Sequence, residues 1–249
     1  MPTPTTMQAA FIRETGGVVH IEIGELPVPR PGPTDALVRM EASEVNHVDL
    51  FVRSGAFPTP TPFPFVIGRD LVGTVVEAGS GAAGFAVGDR VWCNSLGHDG
   101  RQGAFAEYAV VSAERLYPLP PKVAPLDAAA VLHGAATAHI GLVREAGLAA
   151  GDTLLATGGR AVVMAGLQGA APALPVGAMY TREVSLHGFA ISNASVSDLA
   201  RAAGTINRLL AAGRLKGRIG ATFSLTEAAE AHDAMAAGKV RGRVVVRSP

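Results

Sequence analysis

Two strand-like segments in the middle of the chain are separated by only four residues. The segments are Asp152–Ala156 and Ala161–Ala165, and the spacer is Thr157–Arg160. Each parallel strand of a doubly wound sheet needs a crossover helix before the next strand, so this spacer predicts that no such sheet continues here. A hairpin turn fits instead, because Gly158 and Gly159 tolerate positive φ.

The first half of the chain alternates short apolar segments with Gly and Pro. This pattern predicts a compact β-rich barrel, with strands at Ala9–Ile12, Val18–Ile23, Ala36–Ala42, Leu71–Glu77, Arg90–Trp92 and Ala106–Val111. Small apolar residues from Asp127 to Ala146 favour a close-packed helix that ends near Gly147. We place a domain boundary near Pro121.

The last third of the chain predicts two capped helices between two strands. The predicted elements are a strand at Glu183–Ile191, a helix at Ser195–Lys216, a helix at Leu225–Ala237 and a strand at Arg243–Val246. Ser195 with Asp198, and Ser224 with Glu227, have the spacing of a capping box. Both helices therefore have a defined N-terminus.

Charge balance and cysteine content exclude several classes of protein. Lys plus Arg and Asp plus Glu both total 21, so no net field attracts nucleic acid or an anionic membrane, and we expect neither as a partner. The single cysteine, Cys93, rules out an intramolecular disulfide and fits a reducing cytoplasm. Apolar stretches such as Ala161–Leu167 are too short to span a bilayer, and residues 1–10 lack a leader pattern.

Several sequence strings resemble the medium-chain dehydrogenase/reductase family. In the first half they are Met7-Gln-Ala-Ala, Glu44-Val-Asn-His-Val-Asp-Leu-Phe-Val-Arg-Ser-Gly55, Ile67-Gly-Arg-Asp-Leu-Val-Gly73 and Val87-Gly-Asp-Arg-Val91. In the tail they are Leu209-Leu-Ala-Ala-Gly-Arg-Leu215, Leu225-Thr-Glu-Ala-Ala-Glu-Ala-His232 and Arg241-Gly-Arg-Val-Val-Val246. The chain is most similar to the zinc-independent quinone oxidoreductase (zeta-crystallin-like) type.

This resemblance implies an α/β, β-rich fold. We expect a GroES-like β-barrel substrate domain over residues 1–121, completed by 217–249, and a truncated Rossmann remnant of two or three strands with flanking helices over 122–216. Most of the family's nucleotide-binding sheet is missing between Thr153 and Ala161. The junction is ambiguous, because Thr153–Gly159 matches either the first strand of that sheet or the end of a later helix.

A G-x-G-x-x-G pattern occurs at Gly79, Gly81 and Gly84, but its context differs from a dinucleotide fingerprint. The fingerprint follows a strand and opens a helix, whereas here turn and strand residues follow. We interpret it as a Gly-rich turn of the barrel. The resemblance implies NADPH as the cofactor. Because the phosphate contacts of the family are lost, we expect NADPH binding to be weakened and no cofactor to bind tightly.

The resemblance also implies site residues along the cleft of the barrel. Candidate catalytic residues are Asn46, Asp49 and Arg53, and candidate substrate-binding residues are Phe51, Gly68, Arg69, Thr137, Met164, Gly166 and Leu167. Each has a structural alternative: Asp49 and Arg53 have the spacing of a helical ion pair, Gly68 suits a turn, and Thr137 suits a bond to its own helix. We expect no metal, because the stretches at His47 and Gly68–Asp70 lack the required cysteine.

Three functions remain open. The first is a reductase relative that still transfers hydride from NADPH to a small apolar quinone or enone, through a nucleotide site that is truncated or completed by another subunit. The second is a cofactor-independent enzyme that catalyses a cyclisation, addition or isomerisation in the old substrate cleft. The third is a non-catalytic small-molecule-binding protein. Because a truncated sheet exposes edges and apolar faces, we also expect a homodimer formed through the 122–216 segment.

Overall fold

The computed structural model of the protein describes residues 3–149, 158–164 and 173–248. Within these residues the strands are β1 (Thr6–Ile12), β2 (Glu22–Pro27), β3 (Asp35–Glu44), β4 (Phe65–Val66), β5 (Leu71–Ala78), β6 (Arg90–Cys93), β7 (Tyr108–Ser112), β8 (Tyr117–Pro118), β9 (Arg160–Val163), β10 (Ser185–Gly188), β11 (Ile219–Ser224) and β12 (Arg243–Arg247). The helices are α1 (His47–Ser54), α2 (Pro125–Ala129), α3 (Leu132–His139), α4 (Val176–Tyr180), α5 (Val196–Ala211) and α6 (Ala228–Ala236). The fold is α/β and rich in β-structure, as predicted.

The largest sheet joins the two ends of the chain. Its strands follow the order β11-β12-β3-β5-β6-β8, with β7 also paired to β3. Strand β12 runs antiparallel to the end of β3, with Val245 opposite Glu44, and β11 runs parallel to β12. A second sheet has the order β2-β1-β4, and Ala10 of β1 donates its N–H to the Phe105 carbonyl at 2.8 Å.

Two large apolar cores and a smaller cluster around Met7, Phe11 and Val66 support this arrangement in the described residues. One lies inside the barrel and includes the fully buried side chains Phe65, Leu71 and Phe105. The other lies between the large sheet and α2, α3 and α5, and it contains Trp92, whose indole N–H donates to Asn207 Oδ1 at 2.9 Å. Burial of these large side chains is the main favourable contribution to folding.

The rest of the fold contains a short parallel sheet. Strand β9 pairs in parallel with β10, from Arg160 opposite Ser185 to Val163 opposite Gly188, and α4 lies in the connection between them. This pair confirms the predicted remnant of two or three strands. Gly158 has φ +79°, as a turn there requires. The other predicted hairpin strand, Asp152–Ala156, lies outside the described residues.

Three predicted elements differ in detail. Val18–His20 is a 3-10 helix instead of the start of a strand, since the pairing of β2 with β1 begins only at Glu22. The predicted strand at Glu183–Ile191 is shortened to β10, because β9 offers partners only to four of its residues. The predicted helix over 127–146 is divided at Val131, where φ is −133° and ψ is −20°, and its last turn, Ile140–Glu145, is a π-helix.

The helical stretch Pro125–Glu145 is long and apolar enough to cross a membrane by length and composition alone, with a mean hydropathy of 1.3. The sequence analysis considered only shorter apolar stretches and missed this helical segment. This is weak evidence for a membrane span, because the core helix of a soluble protein passes the same criterion. In the structure, Leu132 and Ile140 of this stretch pack into the second core.

Candidate active site

One large cavity, here named the site cavity, lies where the barrel, α3, β9, β10 and the C-terminal segment meet. Its volume is about 1110 Å³, slightly above the range of about 300–1,000 Å³ that is typical of ligand pockets. Most of its wall is apolar, including Phe51, Phe57, Phe189 and Met235. Its polar and charged wall residues are Glu44, Asn46, His47, His133, Thr137, Ser192, Asn193 and Arg243.

Four of the predicted site residues line this cavity: Asn46, Phe51, Thr137 and Met164. Asn46 is the N-cap of α1, and Phe51 lies one turn further along that helix. Thr137 donates its hydroxyl to the His133 carbonyl at 2.8 Å, so the structural alternative holds while the side chain still borders the cavity. The cavity therefore collects residues from the barrel, from α3 and from the end of β9.

Four others do not line the cavity: Asp49, Arg53, Gly68 and Arg69. Asp49 and Arg53 are both buried, so they are not the surface ion pair considered from the sequence. Gly68 has φ +102°, and a Cβ there would lie 2.4 Å from the Phe105 ring, which accounts for the glycine by backbone geometry. Predicted residues Gly166 and Leu167 lie outside the described residues.

Arg69 reaches the cavity wall indirectly. Its side chain is 2% exposed, and Nη2 donates to the hydroxyl of Ser192 at 2.8 Å. Ser192 itself lines the site cavity, just after β10. Arg69 thus ties the turn before β5 to the segment that carries the cavity wall, a positioning role that the sequence did not indicate.

A buried hydrogen-bond network lies behind Asn46. One Asp70 carboxylate oxygen, Oδ1, accepts from the Glu44 N–H at 2.8 Å and from the Ser43 hydroxyl at 3.1 Å. The other, Oδ2, accepts from Asn46 Nδ2 at 3.2 Å. Asp49 Oδ2 accepts from the Asn46 N–H at 2.7 Å. Asn46 is therefore held from both sides, and its orientation at the cavity wall is fixed.

Burial alters the acidity of the carboxyl groups in this network. Desolvation raises the pKa of Asp49 to about 8, because the charged form loses its hydration. It also raises the pKa of Glu44 and of Asp70 above their usual values. The Asp70 charge raises the pKa of Glu44 further, whereas hydrogen bonds from the Glu44 N–H, Asn46 and Ser43 lower that of Asp70. Groups with such shifts are candidates for proton transfer.

Sequence reasoning missed Glu44, Asp70, His133 and Arg243 as members of the site. Arg243 Nη1 lies 2.9 Å from Glu44 Oε1, although the two residues are 199 positions apart. One signal was available, since Glu44 opens the family string that also contains Asn46. No local pattern marks Arg243 or His133, because their roles arise from pairing of distant segments.

Two features of the described residues bear on the metal and cofactor expectations. Across the described ranges no group of three or more His, Cys, Asp or Glu side chains is placed to hold a metal ion, and burial raises the pKa of the Cys93 thiol to about 12. The Gly79–Gly84 motif forms a turn between β5 and β6, with no helix after it. The turn interpretation is confirmed, and this motif provides no helix N-terminus for a pyrophosphate.

Comparison with protein families matches two regions of the chain. Residues 32–121 match the alcohol dehydrogenase GroES-like domain, and residues 128–246 match the zinc-binding dehydrogenase family. Quinone oxidoreductase from Pongo abelii is 31% identical over 153 residues, covering 61% of this chain and 45% of that protein. A chloroplastic quinone oxidoreductase from Triphysaria versicolor is 33% identical over 135 residues. The chain spans about half the length of these relatives.

Solved structures give the same fold. A NAD-dependent alcohol dehydrogenase superposes with a TM-score of 0.86 at 24% identity, covering 97% of this chain and 99% of that one. A mycobacterial quinone oxidoreductase superposes with a TM-score of 0.80 at 21% identity and the same coverage of both chains. The barrel is therefore GroES-like and β9–β10 are a partial Rossmann-like sheet. The chain belongs to the medium-chain dehydrogenase/reductase family and is of the quinone oxidoreductase-like type.

Proposed function

We propose that this protein is a zinc-independent, quinone oxidoreductase-like protein that binds a small apolar quinone or enone, and that its conventional NAD(P)H site is largely lost. The observation that carries the proposal is the site cavity, an apolar volume of about 1110 Å³ with Asn46 fixed at its wall. The Ser192 hydroxyl on the same wall accepts from Arg69 and can donate its own O–H to a carbonyl group of a ligand.

Zinc-independence is supported by the lack of a ligand cluster among the described residues. The weakened cofactor site is supported by the Gly79–Gly84 turn, which has no helix to face a phosphate. A mycobacterial structure with this fold is complexed with NADPH. The proposal that this chain binds NADPH weakly therefore comes from its own residues and not from that structure. We propose no hydride step for the protein.

Titration calorimetry with 2-cyclohexenone, 1,4-naphthoquinone and NADPH tests this function. We expect the enone or quinone to bind and NADPH to give no heat at millimolar concentration. Phe51→Ala removes an apolar wall of the cavity and should weaken binding of the enone or quinone several-fold. Phe85→Ala, at a partly buried phenylalanine outside the cavity, is the matched control. Binding of NADPH without binding of the enone or the quinone would contradict the proposal.

A second candidate function is a cofactor-independent enzyme that isomerises its ligand by proton transfer. The buried carboxyl groups behind Asn46 favour it, because raised pKa values suit proton exchange near neutral pH. A test is enone isomerisation in D2O without added cofactor, followed by NMR for deuterium uptake. We expect Asn46→Ala and Asp49→Asn to slow the exchange. Unchanged exchange in both variants would exclude this candidate, and a ligand that binds unaltered would indicate a non-catalytic binding protein.

We further propose a cytoplasmic homodimer. Large apolar side chains are exposed on and beside β9, α4 and β10, namely Val163, Met164, Leu174, Val176, Tyr180 and Leu186. This set is named the apolar remnant face. Exposed apolar surface next to short parallel strands favours association with another chain, and a second copy is the partner we propose.

A further inference from the structure

The wall of the site cavity carries a permanently charged side chain at Arg243. Arg243 begins β12, and its side chain remains 44% exposed. Among the described residues that line the cavity, it is the only Arg or Lys. A guanidinium at a mostly apolar cavity wall can donate charge-assisted hydrogen bonds to an anion that enters, and its partial exposure leaves it partly hydrated.

Glu44 holds this guanidinium in place. Its Oε1 lies 2.9 Å from Arg243 Nη1, and the Glu44 side chain is fully buried. The two residues are carried by adjacent strands, because β3 and β12 pair with Val245 opposite Glu44. Since both backbones are fixed by a shared ladder, the guanidinium is preorganised, and ordering it costs a ligand little entropy.

The Glu44 carboxyl only partly neutralises Arg243. Its second oxygen, Oε2, is buried without a hydrogen-bond partner among the described residues. Burial and the neighbouring Asp70 charge raise the pKa of Glu44, so this carboxyl keeps its proton to a higher pH than an exposed one. The Arg243 charge and hydrogen bond act in the opposite direction on the pKa of Glu44, and the contact uses only one Glu44 oxygen, so other N–H groups of the guanidinium stay available at the cavity wall.

Helix α3 shapes the other side of Arg243. A Cβ added at Gly134 would lie 2.8 Å from Arg243 Nη2, so the glycine is what allows the guanidinium to lie against the helix. His133 precedes it on the cavity wall, and its Nδ1 has no partner among the described residues. Burial lowers the pKa of His133, which leaves a neutral imidazole able to donate or accept a hydrogen bond.

We propose that the site cavity binds an apolar monocarboxylate, with the carboxylate held by Arg243 and the hydrocarbon part against the phenylalanine-lined wall. Five N–H donors of a guanidinium exceed what one Glu44 oxygen uses, so donors remain for an incoming oxygen pair. This inference rests on the proposed function, because it assigns a ligand class to the same cavity. Neither Arg243 nor Glu44 belongs to the site residues that the sequence predicted.

Calorimetry with octanoate and 1-octanol tests the inference, since the two probes share a chain length and differ in charge. We expect the wild-type protein to bind octanoate more tightly than octanol. Arg243→Gln should weaken octanoate binding about tenfold or more, as expected for loss of a charge-assisted hydrogen bond, and should leave octanol binding unchanged. Arg247→Gln, an exposed arginine on the same strand, is the matched control.

Gly134→Ala provides an independent variant that keeps the charge. Its methyl group should displace the guanidinium and weaken octanoate binding without affecting octanol. Thermal melting of each variant checks that it is folded, and Gly134→Ala decides the question if Arg243→Gln does not fold. Equal binding of octanoate and octanol by the wild-type protein overturns the inference, and so does an unchanged octanoate affinity in these variants. In either case, binding of the quinone or enone still supports the proposed function. Failure of quinone, enone and both octyl probes to bind overturns both.

Discussion

At the scale of single residues, burial decides which polar side chains act at the surface of the site and which support it. Asn46, Glu44 and Arg243 line the cavity, whereas Asp49 and Asp70 are buried behind them. A buried carboxyl avoids the desolvation cost by keeping its proton or by accepting hydrogen bonds. The supporting carboxyls do both, and this makes the stability of the protein depend on pH.

We expect the free energy of unfolding to fall as pH rises from about 5 to about 8. The native pKa of Asp49 is raised to about 8, so between the ordinary and the raised pKa the native state holds a proton that the unfolded state has released. Each such proton lowers stability by up to about 1.4 kcal/mol per pH unit. Glu44 and Asp70, whose pKa values are also raised, act with the same sign.

Urea unfolding at several pH values measures this dependence. Asp49→Asn removes one of the three titrating groups and keeps an oxygen to accept from the Asn46 N–H, so its stability should fall less steeply with pH than that of wild type. Asp233→Asn, at an exposed position on α6, is the control and should follow the wild-type profile. A wild-type stability that rises over this pH window would contradict the assignment of buried, protonated carboxyls.

Gly68→Ala should destabilise the barrel by about 2–4 kcal/mol. Its positive φ is costly for any residue with a Cβ, and the new methyl group would also meet the Phe105 ring at 2.4 Å, adding an overpacking cost. Gly84→Ala is the control, because Gly84 has φ +89° but open space around its Cβ position. Equal destabilisation of the two variants in urea unfolding would mean that contact with Phe105 contributes nothing.

At the scale of elements, capping signals located helix ends more reliably than apolar patterns located strand ends. Helix α5 begins directly after Ser195, whose hydroxyl accepts from the Asp198 N–H at 3.1 Å. Ser224 likewise precedes the 3-10 turn that leads into α6. A cap depends on residues three positions apart, whereas the extent of a strand depends on a partner that is distant in sequence.

Ser195→Ala should lower the free energy of unfolding by about 1 kcal/mol, because the first turn of α5 loses its N-cap acceptor. Ser197→Ala is the control, since the Ser197 side chain is exposed and, among the described residues, its hydroxyl bonds only to the Ser195 hydroxyl. Chemical denaturation measures both. A change below a few tenths of a kcal/mol for Ser195→Ala would show that Asp198 alone stabilises this helix end.

At the scale of the whole molecule, the apolar remnant face determines how the chain behaves in solution. Val176 is 65% exposed and Tyr180 is 73% exposed, and both belong to α4 beside the short parallel sheet. Surface of this kind on a monomer favours self-association. The proposed homodimer rests on this exposed surface.

Light scattering at micromolar concentration should give the mass of a dimer for wild type. Replacement of Val176 and Tyr180 by Lys should shift the protein toward monomer, because two charges would be buried in the interface. The matched control is the same change at Val19 and Val87, which are exposed away from this face at 85% and 69%. A wild-type monomer would overturn the proposal.

The sequence by itself determined the β-rich barrel, the helix caps and the turn at Gly79–Gly84. These follow from residues close together in the chain, where alternation, capping spacing and glycine geometry act locally. The family strings also predicted that Asn46 and Phe51 belong to the cleft, and both line the cavity.

Only the tertiary structure decided which groups meet. It paired β12 with β3 and so placed Arg243 against Glu44; it also joined Arg69 to Ser192 across 123 positions. It buried Asp49 and Arg53, which the sequence placed on a helix without showing which way that helix faces. Contacts between distant segments and the burial they produce depend on how strands pair and helices pack, and no local pattern of residues contains that information.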